Sequence, residues 1–456
     1  MRPSLTHERL AGTLKTRRTG DFAHFTIGSL AAVVVAAGLL LSISCAQAPR
    51  PILLTPDQRA LELASFDQVW TTIRDKHWDP QLGGLNWEAL RDSLRPKVEQ
   101  AQTRAASRSV MQALIASLEQ SHFAVYSSEV FPDLQTKGGD GSPGFELRLI
   151  SGRPVVWELF AGSPAESLGV RPGWVLTRAG DREIDELLER IRPQFEGKSI
   201  AELMLTTIIA AHLTGPIGSE LDAEFLDDAD RERSLMIRRI KPRGAKTQLG
   251  HLPAAYAWTD VQRLPGDIGY VRVSMFLDPE GVMGKYNEAM QSFLDCRGVI
   301  VDLRGNPGGL ALMAMGMAGW LIEGEGRRLG VMQTRDTEMK FTINPRPQTF
   351  SGLVAVLVDG LSASTSEIFA GGLQGLGRAR VFGAPTAGAA LPSVIEKLPN
   401  GDGFQYAVAN YVSEGGEMLE ENGVTPDVAV ELTRAALLAG HDPICDAAAA
   451  WIRESR

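Results

Sequence analysis

Between residues 58 and 118, apolar side chains recur every three or four positions, and this spacing predicts amphipathic helices. The dipeptides Asp79-Pro80 and Gly83-Gly84 interrupt the pattern, because proline and glycine are poorly tolerated inside helices. The pattern therefore predicts a small helical domain, which we place at residues 56–125. Its first residue with candidate chemistry is His122, close to its end.

A second region with short apolar segments follows a break rich in glycine and serine at residues 137–143. Segments of this length, separated by glycine and proline turns, predict a small β-rich domain, which we place at residues 140–243. Its predicted strands are 145–150, 155–160, 174–179 and 235–240, and its predicted helices are 165–168 and 203–213.

From residue 269 onward, strand-like apolar segments alternate with longer helix-like segments. This alternation is typical of a layered α/β core, which we place at residues 255–435. The predicted strands are 269–273, 299–303, 353–358 and 380–382, and the predicted helices are 279–294, 310–321 and 366–376. A helix is predicted for the alanine-rich tail, residues 436–456, so the expected fold class is multidomain α+β.

The first 45 residues differ from the rest, because a basic segment precedes an uncharged apolar run at residues 26–44. This order is typical of a bacterial export signal, and the run is also long enough for an uncleaved membrane anchor. The run ends at Cys45 in a context that resembles the lipidation box of bacterial lipoproteins, and Ala46-Gln47-Ala48 offers a simple cleavage site. Three interpretations of the leader are therefore kept: a lipoprotein leader, a cleaved export signal and an uncleaved membrane anchor. Each places the folded part outside the cytoplasm, in the periplasm or attached to the membrane.

The chain has a formal net charge of −9, and its leader is itself basic, so the remaining part is more acidic still. Acidic proteins repel the phosphate backbone, and we expect no nucleic-acid partner. After Cys45 only Cys296 and Cys445 remain, and two cysteines carry no spacing signature, so their pairing is left open. No Cys/His cluster has metal-ligand spacing, and neither a metal nor another cofactor is implied.

Two segments carry the candidate chemistry. Residues 361–367, Leu-Ser-Ala-Ser-Thr-Ser-Glu, connect a predicted strand to a predicted helix. A serine there lies near the positive end of the helix and near free backbone N–H groups, as an acyl-transfer nucleophile requires, although a helix N-cap has the same pattern. Residues 302–309, Asp-Leu-Arg-Gly-Asn-Pro-Gly-Gly, follow a buried strand, and their glycines let the main chain approach a substrate. Taken alone, this loop is better explained as a structural strand-to-helix turn with an ion pair between Asp302 and Arg304.

Together, the two segments resemble the C-terminal-processing and tricorn-type serine protease superfamily. Its members carry an Asp-Leu-Arg-x-Asn-x-Gly-Gly loop and, later, a Ser-Ala-Ser-x-Ser-Glu segment. The resemblance covers nearly all of the chain after the leader and implies a crotonase- or ClpP-like α/β protease core. It also implies that Ser364 is the nucleophile, and that backbone N–H groups of Thr365 and of Gly308 or Gly309 stabilise the oxyanion.

The chain departs from the superfamily's Ser-Lys members at the general base. Those members carry a Gly-x-x-Thr-x-Gly-Lys-Gly segment, whereas residues 383–390 here place Ala389 at the lysine position. Tricorn-type members instead use an upstream Ser-His pair and a glutamate near the end of the core, which match Ser121, His122 and Glu420. The resemblance therefore implies that His122 is the base, oriented by Glu420 through Ser121.

The second region resembles a PDZ domain of the bacterial protease-associated type, with Ser163-Pro164-Ala165 and Arg171-Pro172-Gly173 as landmarks. Such domains bind an extended C-terminal peptide by strand addition. The resemblance implies that the edge formed by Gly144, Phe145, Glu146 and Leu147 receives the peptide carboxylate. A small β-rich domain without a ligand is the alternative.

The leading hypothesis is an exported serine endopeptidase that cleaves unfolded or C-terminally presented polypeptides without a cofactor. One alternative is a catalytically inactive PDZ-type peptide-binding protein of the same fold, and another is hydrolysis of a non-peptide ester or amide. The separation of Ser364 and His122 discriminates between them. Hydrogen-bond reach supports the protease, whereas a gap beyond about 8 Å favours the binding protein. We expect membrane attachment through the N-terminus, and we predict no oligomeric state.

Overall fold

The computed structural model describes residues 53–126, 139–248 and 255–455, and the predicted leader with Cys45 lies outside them. Helices and sheets are mixed along the described part, as the sequence predicts. None of the described helices is both long and apolar enough to cross a membrane. Cys296 and Cys445 are both free thiols.

Three helices form the N-terminal region and pack around a core that includes Phe66 and Trp70. They are α1 (Pro56–Lys76), α2 (Trp87–Gln100) and α3 (Arg104–Ala116). Thr55 starts α1 with a capping box, in which Gln58 and Thr55 satisfy each other's backbone N–H groups. A short 3-10 turn, Leu82–Gly84, separates α1 from α2 at the predicted glycine break. Strand β1 (Ala124–Tyr126) follows and closes this core.

An antiparallel sheet with strand order β2-β3-β4-β6-β7 forms the second region. Its strands are β2 (Phe145–Ile150), β3 (Arg153–Leu159), β4 (Val175–Ala179), β5 (Arg182–Glu183), β6 (Glu220–Leu226) and β7 (Glu232–Arg238), with β5 paired to β4. Its helices are α4 (Pro164–Ser167), α5 (Ile184–Ile191) and α6 (Ala201–Leu213). The sequence did not predict α5 or β6. Two short strands, β8 (Ala245–Thr247) and β9 (Ala255–Ala257), then pair with each other.

The third region is built on a six-stranded sheet with strand order β10-β11-β12-β15-β16-β20. It contains β10 (Thr259–Leu264), β11 (Ile268–Val273), β12 (Gly298–Asp302), β13 (Arg328–Thr334), β14 (Glu338–Thr342), β15 (Leu353–Val358), β16 (Arg380–Gly383), β17 (Ser393–Lys397), β18 (Gly403–Ala407), β19 (Ala409–Ser413) and β20 (Val428–Ala429). Its helices are α7 (Gly281–Ser292), α8 (Ala311–Ala318), α9 (Thr365–Gly375), α10 (Arg434–Leu438) and α11 (Pro443–Glu454).

Helices cover both faces of this sheet, because successive side chains on a strand point to opposite faces. Val299 and Val301 of β12 join the core that contains residues of α7, α8 and α9. Ile300 joins the core on the other face, which contains residues of α11. Strands β12 and β15 are parallel, so their carboxyl ends meet at one edge of the sheet. That edge carries both the glycine loop and the Ser364 segment.

Two three-stranded sheets, β1-β18-β17 and β14-β13-β19, complete the fold. The first is antiparallel and pairs Ala124 with Gln405. This pairing attaches the chain that leaves His122 to a hairpin of the third region. The predicted domain boundaries remain predictions.

Candidate active site

Ser364 lies in a sharp turn between β15 and α9, with φ 55° and ψ −116°. Non-glycine residues rarely adopt a positive φ, and strand-to-helix turns of this kind expose a serine hydroxyl at the end of a sheet. The two neighbouring serines are buried: Ser362 donates its hydroxyl to Leu303 O at 2.8 Å, and Ser366 donates to Asn306 O at 2.8 Å. Ser364 is therefore the serine of this segment that is partly exposed.

The glycine loop packs directly against Ser364. Gly308 has φ 103°, and a Cβ added there would lie 2.8 Å from Ser364 Cβ and 2.9 Å from Thr365 N. Gly309 has φ 138°, and its carbonyl oxygen accepts the Thr365 hydroxyl at 2.8 Å. Only glycine fits this approach of two main chains, which explains the paired glycines of the sequence.

Backbone N–H groups beside Ser364 can receive a negatively charged oxygen. The Gly308 N–H already donates to Asn306 Oδ1 at 2.9 Å. Among the described residues, the N–H groups of Gly309 and Thr365 have no acceptor. Of the two glycines predicted as oxyanion donors, Gly309 is thus the one whose N–H is free to donate.

The buried carboxylate of Glu367 organises this turn, and sequence reasoning missed its contacts. It accepts the Ser364 N–H at 2.8 Å, the Ala389 N–H at 3.0 Å, the Gly388 N–H at 2.7 Å and the Thr386 hydroxyl at 2.6 Å. Burial raises the pKa of Glu367 to about 7, although the four donors oppose this shift. The capping-box pattern that begins at Ser364 was the available signal.

Asp359 is a second residue that sequence reasoning missed. Its carboxylate accepts the Gly305 N–H at 2.8 Å and the Leu361 N–H at 3.1 Å, so it joins the glycine loop to the Ser364 segment. The Asp359 carboxylate also accepts a hydrogen bond from Arg148 Nε of β2 at 2.7 Å. No local motif marks this role, because its partners are remote in sequence.

The structure brings Ser121, His122 and Glu420 together. The Ser121 hydroxyl lies 2.7 Å from His122 Nδ1 and donates to Glu420 Oε2 at 2.9 Å, while the Ser121 N–H donates to Glu420 Oε1 at 2.8 Å. A hydroxyl has one hydrogen, and an ionised carboxylate only accepts. Because Ser121 gives its hydrogen to Glu420, His122 must donate from Nδ1, which leaves Nε2 unprotonated and available as a base.

The loop around His122 is held from both sides. His122 itself has φ 60°. The preceding Gln120 bonds through Oε1 to the buried His77 Nε2 at 3.0 Å, and the following Phe123 stacks on the His77 ring at 5.7 Å. Loss of surrounding water lowers the pKa of His122 to about 4, so the imidazole is neutral near pH 7.

The segment Ala389-Ala390 connects the two halves of the site. The Ala389 carbonyl accepts the Ser364 N–H at 2.8 Å, and the Ala390 N–H donates to Glu420 Oε2 at 3.1 Å. Ala389 occupies the lysine position and is 3% exposed. Within the described ranges, no hydrogen bond joins the Ser364 hydroxyl to the His122 imidazole.

The four residues predicted to bind a peptide lie at the start of β2, which is an edge strand. The Gly144 N–H donates to Ser142 Oγ at 3.1 Å, and Glu146 forms an ion pair with Arg272 at 3.1 Å. Phe145 and Leu147 are buried in the core of the second region.

No group of three or more His, Cys, Asp or Glu side chains in the described residues could hold a metal ion.

Two family matches cover separate parts of the chain. Residues 267–430 match peptidase family S41, and residues 63–116 match the tricorn protease C1 domain. The carboxyl-terminal-processing protease of Synechocystis sp. is 27% identical over 396 residues, covering 84% of this chain and 83% of that protein. A probable CtpA-like serine protease of Staphylococcus aureus is 25% identical over 292 residues. That match covers 63% of this chain but only 52% of the staphylococcal protein.

Solved structures resemble the fold. The photosystem II D1 C-terminal processing protease superimposes with a TM-score of 0.55 at 21% identity, covering 81% of this chain and 93% of that one. Mature CPAF superimposes with a TM-score of 0.60 at 14% identity, covering 87% and 97% of the two chains. At these identities the likeness concerns the fold alone.

Proposed function

Because this chain is a serine-type peptidase of the C-terminal-processing and tricorn-type superfamily, with a family S41 core, we propose that it cleaves polypeptides through Ser364, His122 and Glu420. In the proposed first step, Ser364 Oγ attacks the peptide carbonyl carbon and His122 Nε2 takes the hydroxyl proton. The N–H groups of Gly309 and Thr365 stabilise the resulting oxyanion. His122 then protonates the leaving amine, and a water molecule repeats the sequence to release the acyl group from Ser364.

The hydrogen-bonded series His122–Ser121–Glu420 is the single observation that carries this proposal. It supplies what a serine nucleophile lacks when no lysine is present, namely a neutral base of fixed tautomer. Glu420 is distant from His122 in sequence, and its carboxylate accepts hydrogen bonds from both the N–H and the hydroxyl of Ser121. A Ser/His/acid site needs an imidazole with a free nitrogen and a carboxylate that orients it. Here His122 provides the free Nε2, and Glu420 is connected to His122 through Ser121.

The absence of a hydrogen bond between Ser364 and His122 in the described residues is compatible with catalysis. Catalytic hydrogen bonds are often long without substrate and shorten when substrate binds. Glu420 and Ser364 are each bonded to the same two-residue segment, Ala389-Ala390, so the two halves are tied to common main chain. The strained turn at Ser364 and the two free N–H groups favour the protease over a binding protein that has lost hydrolysis.

The proposed substrate is a polypeptide whose C-terminal segment is presented to the site. The Synechocystis relative is a carboxyl-terminal-processing protease. The outer edge of β2 is available for strand addition, which is how PDZ-like domains bind a C-terminus. We further propose that the basic, apolar leader directs the protein out of the cytoplasm, either as a lipoprotein acylated at Cys45 or through a cleaved or anchored signal.

Turnover of unfolded casein by the wild type and by Ser364→Ala tests the proposal. We expect the wild type to generate new amino groups over time and Ser364→Ala to generate none, while circular dichroism shows the same fold for both. Equal rates would overturn the assignment of Ser364. Absence of turnover in both proteins, with retained peptide binding, would favour the non-catalytic alternative.

A further inference from the structure

A cavity of about 870 Å³ opens at the far end of β2, away from the residues expected to receive a peptide carboxylate. Its walls come from the end of β2, from α5 and the turn after it, and from the start of α6. Apolar side chains supply part of this wall, among them Leu149, Leu188, Phe195 and Leu205. The catalytic residues do not line it.

Strand β2 leads directly from the predicted carboxylate site to this cavity. It is the first strand of its sheet, so its outer edge has no strand partner among the described residues. Just before β2 and just after α6, the Gly141 N–H donates to the Gly215 carbonyl oxygen at 2.7 Å. Leu149, near the end of β2, and Ala201, at the start of α6, line the cavity instead. An antiparallel peptide with its C-terminus at residues 144–147 therefore directs its upstream residues into the cavity.

The cavity wall carries more carboxylates than cationic side chains. Four acidic side chains line it, and none forms an ion pair or hydrogen bond through its carboxylate with a described residue: Asp185, Glu189, Glu196 and Glu202. Two arginines are also present, and one of them, Arg192, donates to the Gly152 carbonyl at 2.9 Å. Most of the charged side chains of this wall therefore remain available to an incoming group of positive charge.

Glu202 occupies the side of the cavity nearest the catalytic region. A Cβ added to Gly360, four residues before Ser364, would lie 2.2 Å from Glu202 Oε2. Burial and the charge of Asp359 raise the pKa of Glu202 to about 7, although the positive charge of Arg148 opposes this shift. Such a carboxylate gains most from a cation, because an opposite charge offsets the cost of desolvation.

We propose that this cavity binds a lysine or arginine side chain located several residues upstream of the C-terminus of the bound polypeptide. A lysine or arginine stem packs on the apolar wall while its charged end meets Glu189 and Glu202. The proposal rests on the proposed function, because it assumes that β2 receives a C-terminal segment. It adds a charge preference to that recognition.

Binding of labelled ten-residue peptides to the full-length Ser364→Ala protein tests this inference, because binding is then measured without cleavage. The peptides share one neutral sequence, and a single lysine is moved from the third to the eighth position from the C-terminus. We expect lysine within one window of positions to lower Kd by about 3- to 10-fold relative to alanine, with glutamate at those positions raising it. The preference should weaken with added salt.

Substitutions of the carboxylates assign any preference to the cavity. Glu189→Gln and Glu202→Gln should each reduce the lysine preference, whereas the matched control Glu186→Gln, an exposed residue of α5 outside the cavity, should retain it. Glu189 is exposed, so its variant keeps the test valid if Glu202→Gln destabilises the fold.

Two results would overturn the inference: no position favours lysine, or the preference persists in both cavity variants. A lysine preference without casein turnover by the wild type would instead retain the inference and remove the proposed hydrolysis. Casein turnover without any lysine preference would retain the proposed hydrolysis and overturn the inference about the cavity.

Discussion

The backbone N–H of Ser364 lies 2.8 Å from the carbonyl oxygen of Ala389. Ala389 occupies the position at which Ser-Lys relatives carry their general base, so the main chain of that position still contacts the nucleophile segment. Its side chain is buried in a small apolar cluster with Ala363 and Ala387. The backbone contact at this position is thus present without a lysine side chain, and in the proposed mechanism His122 supplies the base from another region of the chain.

The apolar packing around Ala389 makes a lysine unfavourable there. We expect Ala389→Lys to lower the free energy of unfolding by roughly 1–3 kcal/mol, because a longer, charged side chain must enter a filled space. Urea unfolding measures this change. The control is Ala435→Lys, at an exposed position of α10, which should alter stability little. An unchanged urea midpoint for Ala389→Lys would mean that the site has room for the lysine that relatives carry.

In the proposed site, Ser121 and Glu420 orient His122. We expect Ser121→Ala and Glu420→Gln each to lower kcat/KM for an unfolded substrate by about 10²- to 10⁴-fold, because the imidazole loses its fixed tautomer. The neighbouring Glu421 is exposed, and Glu421→Gln is the matched control with nearly wild-type turnover. Equal losses in Glu420→Gln and Glu421→Gln would contradict the assigned orientation.

The lowered pKa of His122 predicts that the acid limb of the pH–activity profile, where activity falls as pH is lowered, lies at an unusually low pH. In the proposed mechanism the base is the neutral imidazole of His122, and a pKa of about 4 keeps it neutral as pH falls through 6.5, the ordinary value. Activity should therefore persist below pH 6 and be lost as pH approaches about 4, as long as circular dichroism shows a folded protein.

Glu367 offers the competing source of a pH effect, because its pKa is raised to about 7. If its ionisation controlled the rate, the fall of kcat/KM toward acid pH would lie near pH 7 and would be absent from Glu367→Gln, because glutamine does not ionise. A limb near 7 in the wild type would therefore contradict the assignment to His122.

The close approach of the glycine loop to Ser364 predicts a severe effect of one methyl group. Gly308→Ala should lower kcat by at least about 100-fold, because the new Cβ displaces Ser364 or the Thr365 N–H, and it should also cost about 1–3 kcal/mol of stability. The control is Gly377→Ala, which has φ +65° and open space around the added Cβ. It should lose some stability and keep its activity. Similar activity losses in both variants would show that the effect is not local to the proposed oxyanion donors.

Local patterns in the sequence predicted the main elements of the described fold. The helical spacing before residue 118 and the buried run at β12 correspond to observed elements, with boundaries shifted by one or two residues. These signals are local, because periodicity and glycine breaks act on neighbouring residues. The antiparallel strands β13, β14, β18 and β19 were not predicted, because their stability comes from pairing with distant strands.

The candidate site shows the same division. Ser364, His122 and Glu420 could be proposed because each lies in a short segment similar to a known family. The roles of Asp359 and His77 could not, since each depends on partners that only the folded chain brings near. For Glu367 the capping-box pattern gave a local signal, but its contacts with Thr386 and Gly388 appear only in the folded chain. Nothing local in the sequence indicates that Asp359 joins Gly305 to Leu361.

Modification by a fluorophosphonate probe tests the central claim most directly, because the probe reacts with a serine only when a base activates it. Intact and peptide mass spectrometry should find one adduct, on Ser364 of the wild type. His122→Ala should form it at least about 100-fold more slowly, and Ser364→Ala should not form it. An adduct at another serine, or an equal rate in His122→Ala, would contradict the account.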